Sequence, residues 1–178
     1  RPYHLLVTNN KLLTEERNWS GSQQYINQYY KGSGALEASI ALPFALVAFV
    51  ETNDGIQLFG YDGDELKTMQ YYTSTYAMSS TVDVGDLGIG TVHSVVRIEG
   101  SLNEEAFVLC GDGGMKAITV NIVQSNVVAS WSQGGSHVEI NQATGELLVL
   151  SNGELLTYAW SSSNPTSSVS VGSDAADF

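Results

Sequence analysis

The feature that most constrains the fold is a hairpin pattern that occurs four times along the chain. In each copy an apolar run leads to a turn that ends in Gly or Asn, and a second apolar run follows. The turns close at Asn10, Gly55, Gly114 and Gly153. Glycine and asparagine tolerate the positive φ that tight hairpin turns require, so the pattern predicts antiparallel strands joined by short turns.

Further strand-like segments flank these hairpins, and no long stretch has helical periodicity. Apolar or alternating segments precede three of them, at 38–44, 93–100 and 136–142, and others follow at 66–74 and 126–133. Four short antiparallel strands in roughly 40 residues make one blade of a β-propeller. The sequence therefore predicts an all-β fold of about four propeller-like, four-stranded antiparallel blades. A β-sandwich or jelly roll is the alternative.

The predicted organisation is a single all-β domain over residues 1–178. Its repeat units span about 3–32, 35–78, 92–133 and 135–173. The first repeat is expected to begin at its second strand, because only Arg1 and Pro2 precede the first hairpin. Residues 167–173 are predicted to supply the missing strand and close a ring. The alternative is a partial ring whose open edge another chain covers.

The repeat pattern resembles β-propeller repeat proteins in general. Two segments, KLLTEERNWSG at 11–21 and IQLFGYDGDEL at 56–66, are similar to the blades of fungal fucose-binding lectins. Those blades bring an arginine on one strand and a tryptophan on the next. The matching strands here, HLLVTNN and AFVETND, contain no arginine. The resemblance therefore implies a fold and carries over no site residues.

The charge balance restricts the partners. Seven Lys and Arg stand against nineteen Asp and Glu, for a formal net charge of −12. Such a chain repels phosphate backbones and anionic lipid surfaces, so we expect no nucleic-acid partner. No apolar run approaches the ~18 residues of a membrane span, so we expect no membrane insertion.

The cellular environment is predicted to be extracellular, or the cell surface. The chain has few lysines and many Ser, Thr, Gly and Asn, and Asn18-Trp19-Ser20 is an acceptor triplet for N-glycosylation at Asn18. The single cysteine, Cys110, follows Val108 and Leu109. We expect a buried thiol and no intrachain disulfide.

The sequence lacks the enzymatic motifs considered below, so we expect no enzyme and no cofactor. The stretch FVLCGDGGMKAI at 107–118 lacks the Ser or Thr that follows the lysine of a phosphate-binding loop, and strand-like residues come next. A turn is the better interpretation. No G-x-S-x-G nucleophile motif occurs. His4, His93 and His137 lie far apart, which favours structural positions over a metal site.

The acidic run DGDE offers the strongest, though weak, candidates for a calcium site. These are Asp62, Asp64 and Glu65, with Asp54 nearby. Calcium prefers several oxygen ligands, but the EF-hand spacing is absent. The same residues are typical of a turn between strands, so no metal site is predicted.

Clustered tyrosines are the most suggestive binding feature. Residues 19–35 and 75–92 exceed ordinary hairpin loops and are predicted to be long loops. The candidate binding residues in and beside them are Tyr25, Tyr29, Tyr30, Tyr71, Tyr72 and Tyr76. Tyrosine among amide and hydroxyl side chains suits contact with proteins or sugars. The alternative is tyrosine packed in strands, where it is common.

The predicted function is non-enzymatic binding, as a protein-interaction module that forms one piece of a larger assembly. The first alternative is a secreted carbohydrate-binding, lectin-like protein that uses the tyrosine-rich loops. The second is a structural subunit of an extracellular polymer built by β-strand exchange.

Overall fold

A computed structural model of the chain describes residues 5–8, 11–17, 23–99, 105–121 and 123–171. These residues form β-strands and turns, and no helix among them is long and apolar enough to cross a membrane. The strands are β1 (Leu5–Val7), β2 (Lys11–Arg17), β3 (Gln24–Tyr30), β4 (Leu36–Ala41), β5 (Ala45–Glu51), β6 (Ile56–Asp62), β7 (Glu65–Tyr72), β8 (Ala77–Met78), β9 (Val82–Asp83), β10 (Val92–Glu99), β11 (Glu105–Gly111), β12 (Gly114–Val120), β13 (Ser125–Trp131), β14 (His137–Asn141), β15 (Glu146–Ser151), β16 (Glu154–Tyr158) and β17 (Ser167–Ser170).

The chain divides into two compact units, Arg1–Gly85 and Asp86–Phe178. The first unit contains sheet A, in the order β1-β2-β3-β4, and sheet B, in the order β5-β6-β7-β8. The short strand β9 also pairs with β7, so β8 and β9 share the fourth position of sheet B. The second unit contains sheet C, β10-β11-β12-β13, and sheet D, β14-β15-β16-β17. The predicted all-β class and the four antiparallel sheets are confirmed. The single-domain span stays a prediction.

The four sequence hairpins do not occupy equivalent positions in the sheets, contrary to expectation. The hairpins that close at Asn10 and Gly55 join the first and second strands of their sheets, whereas those at Gly114 and Gly153 join the second and third. Consecutive strands of a meander are all joined by hairpins, so the same apolar–turn–apolar pattern marks either position. The segment at 38–44 was likewise misplaced, because Leu36–Ala41 completes sheet A by pairing with β3.

The expectation of a missing strand in the first repeat is wrong. Residues 5–41 already supply four strands to sheet A, beginning with β1, which pairs with β2. The C-terminal segment stays within its own sheet, because Ser167–Ser170 pairs antiparallel with β16. Residues 172 and 173 of the predicted closing segment lie outside the described residues.

Each unit has an apolar core built mainly from strand residues of its two sheets, and in the first unit the β4–β5 connection adds Leu42 and Phe44. The core of the first unit consists of Leu13, Ile26, Leu42, Phe44, Leu46, Ile56, Leu58, Met69 and Tyr71. That of the second consists of Val108, Cys110, Met115, Ala117, Trp131, Val138, Leu147, Val149, Leu156 and Tyr158. The predicted burial of Cys110 is confirmed, and burial raises the pKa of its thiol to about 11. The thiolate is therefore scarce near neutral pH, which suits a structural cysteine.

The β15–β16 turn shows how sequence sets the hairpins. Asn152 and Gly153 are the two connecting residues, and their φ values are 50° and 78°. Positive φ at both central residues is the mark of a type I′ turn, whose twist matches that of the flanking strands. Asparagine followed by glycine is the preferred pair for this turn. The predicted turn role of Gly153 is confirmed.

Candidate functional site

The structure divides the six candidate tyrosines into three groups. Tyr71 is fully buried in the core of the first unit. Three are partly buried, namely Tyr25, Tyr29 and Tyr72. Tyr30 and Tyr76 are 48% and 46% exposed. The expected loop at 19–35 is wrong for its central part, because Gln24–Tyr30 is a strand of sheet A. Its amide-rich sequence suggested a loop, but several of those amides are buried within the sheet.

A buried hydrogen-bond network links sheets A and B through Gln28 and Tyr71. The Tyr71 hydroxyl donates to the side-chain oxygen of Gln28 at 2.9 Å. The Gln28 amide, which is fully buried, donates to Glu37 at 3.1 Å and to the Thr73 carbonyl at 3.2 Å. Burial raises the pKa of Tyr71 to about 12, so the phenol stays protonated and remains a donor.

Glu37 of β4, which belongs to this network, also forms an ion pair with Lys11 of β2. The Lys11 ammonium donates to both carboxylate oxygens, at 2.8 and 2.7 Å. It also lies 5.7 Å from the centroid of the Tyr30 ring, within the range of a cation–π contact. The hydrogen bond to Glu37 raises the pKa of Lys11, and the neighbouring phenols of Tyr76 and Tyr30 act in the same direction. We call Lys11, Tyr30, Glu37 and Tyr76 the tyrosine face.

Tyr76 has an unusual backbone conformation, with φ at 59°. It ends a turn in which its N–H donates to the Tyr72 carbonyl at 2.9 Å. Two other strand connections have the same turn, in which Gly34 bonds to the Tyr30 carbonyl at 2.8 Å and Gly145 to the Asn141 carbonyl at 2.7 Å. Their φ values are 70° and 72°. A position that takes glycine twice thus holds a tyrosine here, at a conformational cost of roughly 1 kcal/mol.

A polar pocket of about 530 Å³ opens where the β5–β6 and β7–β8 turns meet Thr8, the residue that follows β1. Its described lining residues are Thr8, Glu51, Thr52, Asn53, Asp54, Gly55, Tyr72, Thr73, Ser74 and Thr75. Hydroxyl groups dominate this set, with one amide and two carboxylates. None of these described residues is Lys, Arg or His. The pocket and the tyrosine face share the 72–76 turn, and Thr8 bonds to the backbone of Lys11.

Gly55 makes the close packing of this pocket feasible. A Cβ at this position would lie 2.0 Å from the Tyr71 carbonyl oxygen and 3.1 Å from the Thr73 nitrogen. Only glycine lets the β5–β6 turn approach the end of β7 so closely. The glycine that marked a repeat in the sequence therefore also shapes the pocket wall.

Replacing Tyr71 with Phe should destabilise the first unit by about 1–3 kcal/mol, because the buried Gln28 oxygen loses its donor. Urea unfolding measures the difference. The raised pKa sets its pH dependence, since the contribution of the Tyr71 hydroxyl is present below pH 10 and lost between pH 10 and 12. Tyr25→Phe is the matched control, as Tyr25 is only partly buried. A Tyr71→Phe variant as stable as Tyr25→Phe would contradict the network.

The remaining candidates form no comparable site. Asp62, Asp64 and Glu65 are exposed around the tight β6–β7 turn, and Glu65 pairs with Lys67 at 2.5 Å. Across the described residues, no group of three His, Cys, Asp or Glu side chains could hold a metal ion. The calcium candidates are thus not brought together as ligands. The glycosylation candidate Asn18 lies outside the described residues, as does His4.

The other two histidines each meet a nearby carboxylate in the second unit. His93 lies 2.7 Å from Asp112, and His137 lies 3.4 Å from Glu139. His137 also approaches the Ser94 hydroxyl at 3.4 Å, but that hydroxyl accepts the Val138 N–H and is itself buried. The Ser94 contacts tie strand β10 to β14, and the His93–Asp112 pair ties β10 to the β11–β12 turn, so both histidines fit structural positions.

The GDGG stretch is a hairpin turn, as predicted. Strands β11 and β12 pair up to Gly111 and Gly114, with Asp112 and Gly113 between them. The sequence did not reveal the importance of Lys11, Gln28 and Glu37, because their partners lie on other strands. The TNDG turn at 52–55 was the available signal for the pocket, but it was interpreted as a repeat marker and, through Asp54, as a neighbour of the calcium candidates.

No protein-family model matches the sequence, and no curated protein matches it either. Solved structures do match. Dihydro-heme d1 dehydrogenase NirN, in complex with DHE, aligns at a TM-score of 0.68 and 9% identity, over 97% of this chain and 38% of its own. Hydrazine synthase from Kuenenia stuttgartiensis aligns at a TM-score of 0.66 and 14% identity, over 94% of this chain and 48% of its own.

A third similar structure is a functionally unknown protein from Desulfotomaculum acetoxidans DSM 771. It aligns at a TM-score of 0.65 and 10% identity, over 91% of this chain and 53% of its own. This chain thus covers between 38% and 53% of the length of these three structures. NirN and hydrazine synthase are β-propeller proteins, so the predicted propeller-like blades are confirmed over the sandwich alternative. At these identities the likeness concerns the fold alone.

Proposed function

We propose that this chain is a non-enzymatic binding module, and that its first unit binds a neutral carbohydrate in the polar pocket beside the tyrosine face. The pocket carries the proposal. Its volume of about 530 Å³ lies in the range of small-ligand sites, ~300–1,000 Å³. Sites for apolar cofactors are lined mainly by apolar and aromatic side chains, whereas hydroxyl, amide and carboxylate groups dominate here.

The lining groups match the hydrogen-bonding needs of a sugar. Each sugar hydroxyl both donates and accepts, and the pocket offers acceptors in Asp54 and Glu51 with mixed groups in Asn53 and Thr73. The two carboxylates disfavour anionic ligands such as phosphates and sialylated or uronic sugars. Tyr76, at the border of the pocket, offers an aromatic surface for the C–H bonds of a sugar ring, whose hydrogens are attracted to the electron-rich ring face.

The test is calorimetric titration of the chain with neutral tri- and tetrasaccharides of glucose, mannose, galactose and N-acetylglucosamine. Asp54→Ala is expected to weaken the affinity for the best ligand by about threefold to fivefold, the effect of one lost hydrogen bond. Asp64→Ala is the matched control, since it removes the same charge from the turn at the other end of strand β6.

The Asp64→Ala affinity is expected to stay within about twofold of that of the unchanged chain. Equal losses in both variants would assign the effect to net charge and overturn the site. The absence of saturable binding by any of these sugars would overturn the function.

The protein-interaction and strand-exchange hypotheses stay predictions, as do the extracellular location and the absence of enzymatic activity. One observation bears on strand exchange. The edge strand β13 presents Val127 and Val128 with 52% and 53% of their surfaces exposed, next to a bulge in its pairing with β12. Bulges hinder the addition of a further strand, so this edge favours side-chain contacts over strand exchange. The similarity to fungal lectin blades stays a resemblance.

A further inference from the structure

We propose that Trp160, in the second unit, is the stacking platform of a separate binding site for a neutral hexopyranose. This site shares no residue with the pocket of the first unit and does not rest on it. Trp160 lies in the connection between β16 and β17 and is 40% exposed. A partly exposed indole combines a large apolar ring with a polar N–H, a combination that is common at binding surfaces.

The ring of Trp160 is held in place from within the unit. It packs against Trp131, with ring centroids 5.3 Å apart and an interplanar angle of 62°. Trp131 is itself only 3% exposed and belongs to the core of the second unit. An edge-on aromatic pair of this kind fixes the outer ring against a rigid support. The exposed tryptophan is therefore supported by a buried one.

The connecting segment is ordered by hydrogen bonds at both ends. The Trp131 indole N–H donates to the Ser162 carbonyl at 2.8 Å, and the Ser162 N–H donates to the Ala159 carbonyl at 3.0 Å. At the far end the Thr166 N–H donates to the Thr157 carbonyl at 2.7 Å. Because the platform is ordered before a ligand arrives, binding costs little further conformational entropy.

The segment is longer than the fold requires. Residues 159–166 join two strands that pair directly, whereas the preceding hairpin of the same sheet needs only Asn152 and Gly153. Long ordered connections on a rigid scaffold are typical of binding loops. The extra length places Trp160 among exposed polar residues.

The chemistry of the segment selects the ligand class. Its sequence, AWSSSNPT, contains no charged residue. Ser161, Ser163 and Asn164 are exposed and offer hydroxyl and amide groups in the same segment as the indole. An indole face attracts the C–H bonds of a pyranose ring, while hydroxyl and amide groups bond to its hydroxyls. No charge in the segment would compensate the desolvation of an ionic ligand. These features together favour a neutral sugar.

The test uses the full chain with Trp19→Phe, so that the emission reports only Trp131 and Trp160. The probes are cellopentaose, laminaripentaose, maltopentaose and N-acetylchitopentaose. At least one should shift the emission saturably and protect it from acrylamide quenching. Trp160→Ala should lower the calorimetric affinity for that ligand at least fivefold. Trp160→Phe should lower it by less, because Phe keeps a smaller stacking surface.

The controls separate this site from the pocket of the first unit. Asp54→Ala should leave the Trp160 emission response unchanged, and Trp160→Ala should leave the Asp54-dependent binding unchanged. Thermal unfolding checks that each variant is folded. If Trp160→Ala does not fold, the affinity of Trp160→Phe still tests the proposal. Unchanged calorimetric affinity in both Trp160 variants would overturn the proposal. So would the absence of any saturable emission change up to about 20 mM sugar.

Discussion

Tyr76→Gly is expected to make the protein more stable and the binding site weaker. Glycine adopts the positive φ of this position without strain, as it does at Gly34 and Gly145 in the equivalent turns. The gain should be about 0.5–1 kcal/mol, or a rise in Tm of about 1–4 °C for a chain of this size. Scanning calorimetry measures the shift.

The same substitution should reduce carbohydrate affinity by about tenfold, because the aromatic surface at the border of the pocket is lost. Tyr76→Asn is the informative control, since asparagine tolerates positive φ but offers no ring. It should keep part of the stability gain and lose carbohydrate affinity to the same extent as Tyr76→Gly. A Tyr76→Gly protein that is less stable than the unchanged chain would show that packing, not binding, retains the tyrosine. A variant with unchanged affinity would remove Tyr76 from the site.

The second large effect is expected at Gly134, next to the GDGG hairpin. A Cβ at this position would lie 1.8 Å from the Gly111 carbonyl oxygen and 2.7 Å from the Gly114 nitrogen. Backbone atoms on both sides leave no room for a side chain, so Gly134→Ala should force the strand ends apart. We expect a loss of about 3 kcal/mol or more, which lowers Tm by roughly 6–12 °C.

Gly113→Ala is the matched comparison, as it makes the same chemical change within the hairpin itself. A Cβ at Gly113 would have its nearest neighbours at 3.5 Å, an ordinary van der Waals distance. Its effect should stay within about 1 kcal/mol. Urea unfolding of both variants measures the difference. Equal stabilities would show that the backbone at Gly134 yields easily, and the tight packing would lose its structural significance.

These two glycines show what the sequence could and could not predict. Turn residues are encoded locally, so the hairpins at Gly55, Gly114 and Gly153 were predictable from a few neighbours each. The demand on Gly134, in the β13–β14 connection, comes from Gly111 at the end of strand β11. Nothing in the residues around Gly134 distinguishes it from Gly113. Close approach between distant backbones is invisible to local patterns.

The tyrosines illustrate the same limit. Composition indicated the segment that contains both Tyr71 and Tyr76 as a candidate binding region. Yet Tyr71 belongs to the core, while Tyr76, in the following turn, is half exposed. The network that separates their roles depends on Gln28, whose partners lie on β4 and at the end of β7. Side-chain alternation along a strand sets which residues point inward, but the inward partners become known only when the strands are paired.

Each sheet takes all of its strands from one uninterrupted stretch of chain, and this has a consequence for folding. The four stretches are 5–41, 45–83, 92–131 and 137–170. A sheet closed by strands from both chain ends would have to wait for the last residue to be synthesised. Here every strand pairing closes a short loop, which keeps contact order low for a β protein and favours rapid folding. During synthesis each sheet has all of its strands as soon as its own residues emerge, so the chain is suited to fold progressively from its N-terminus.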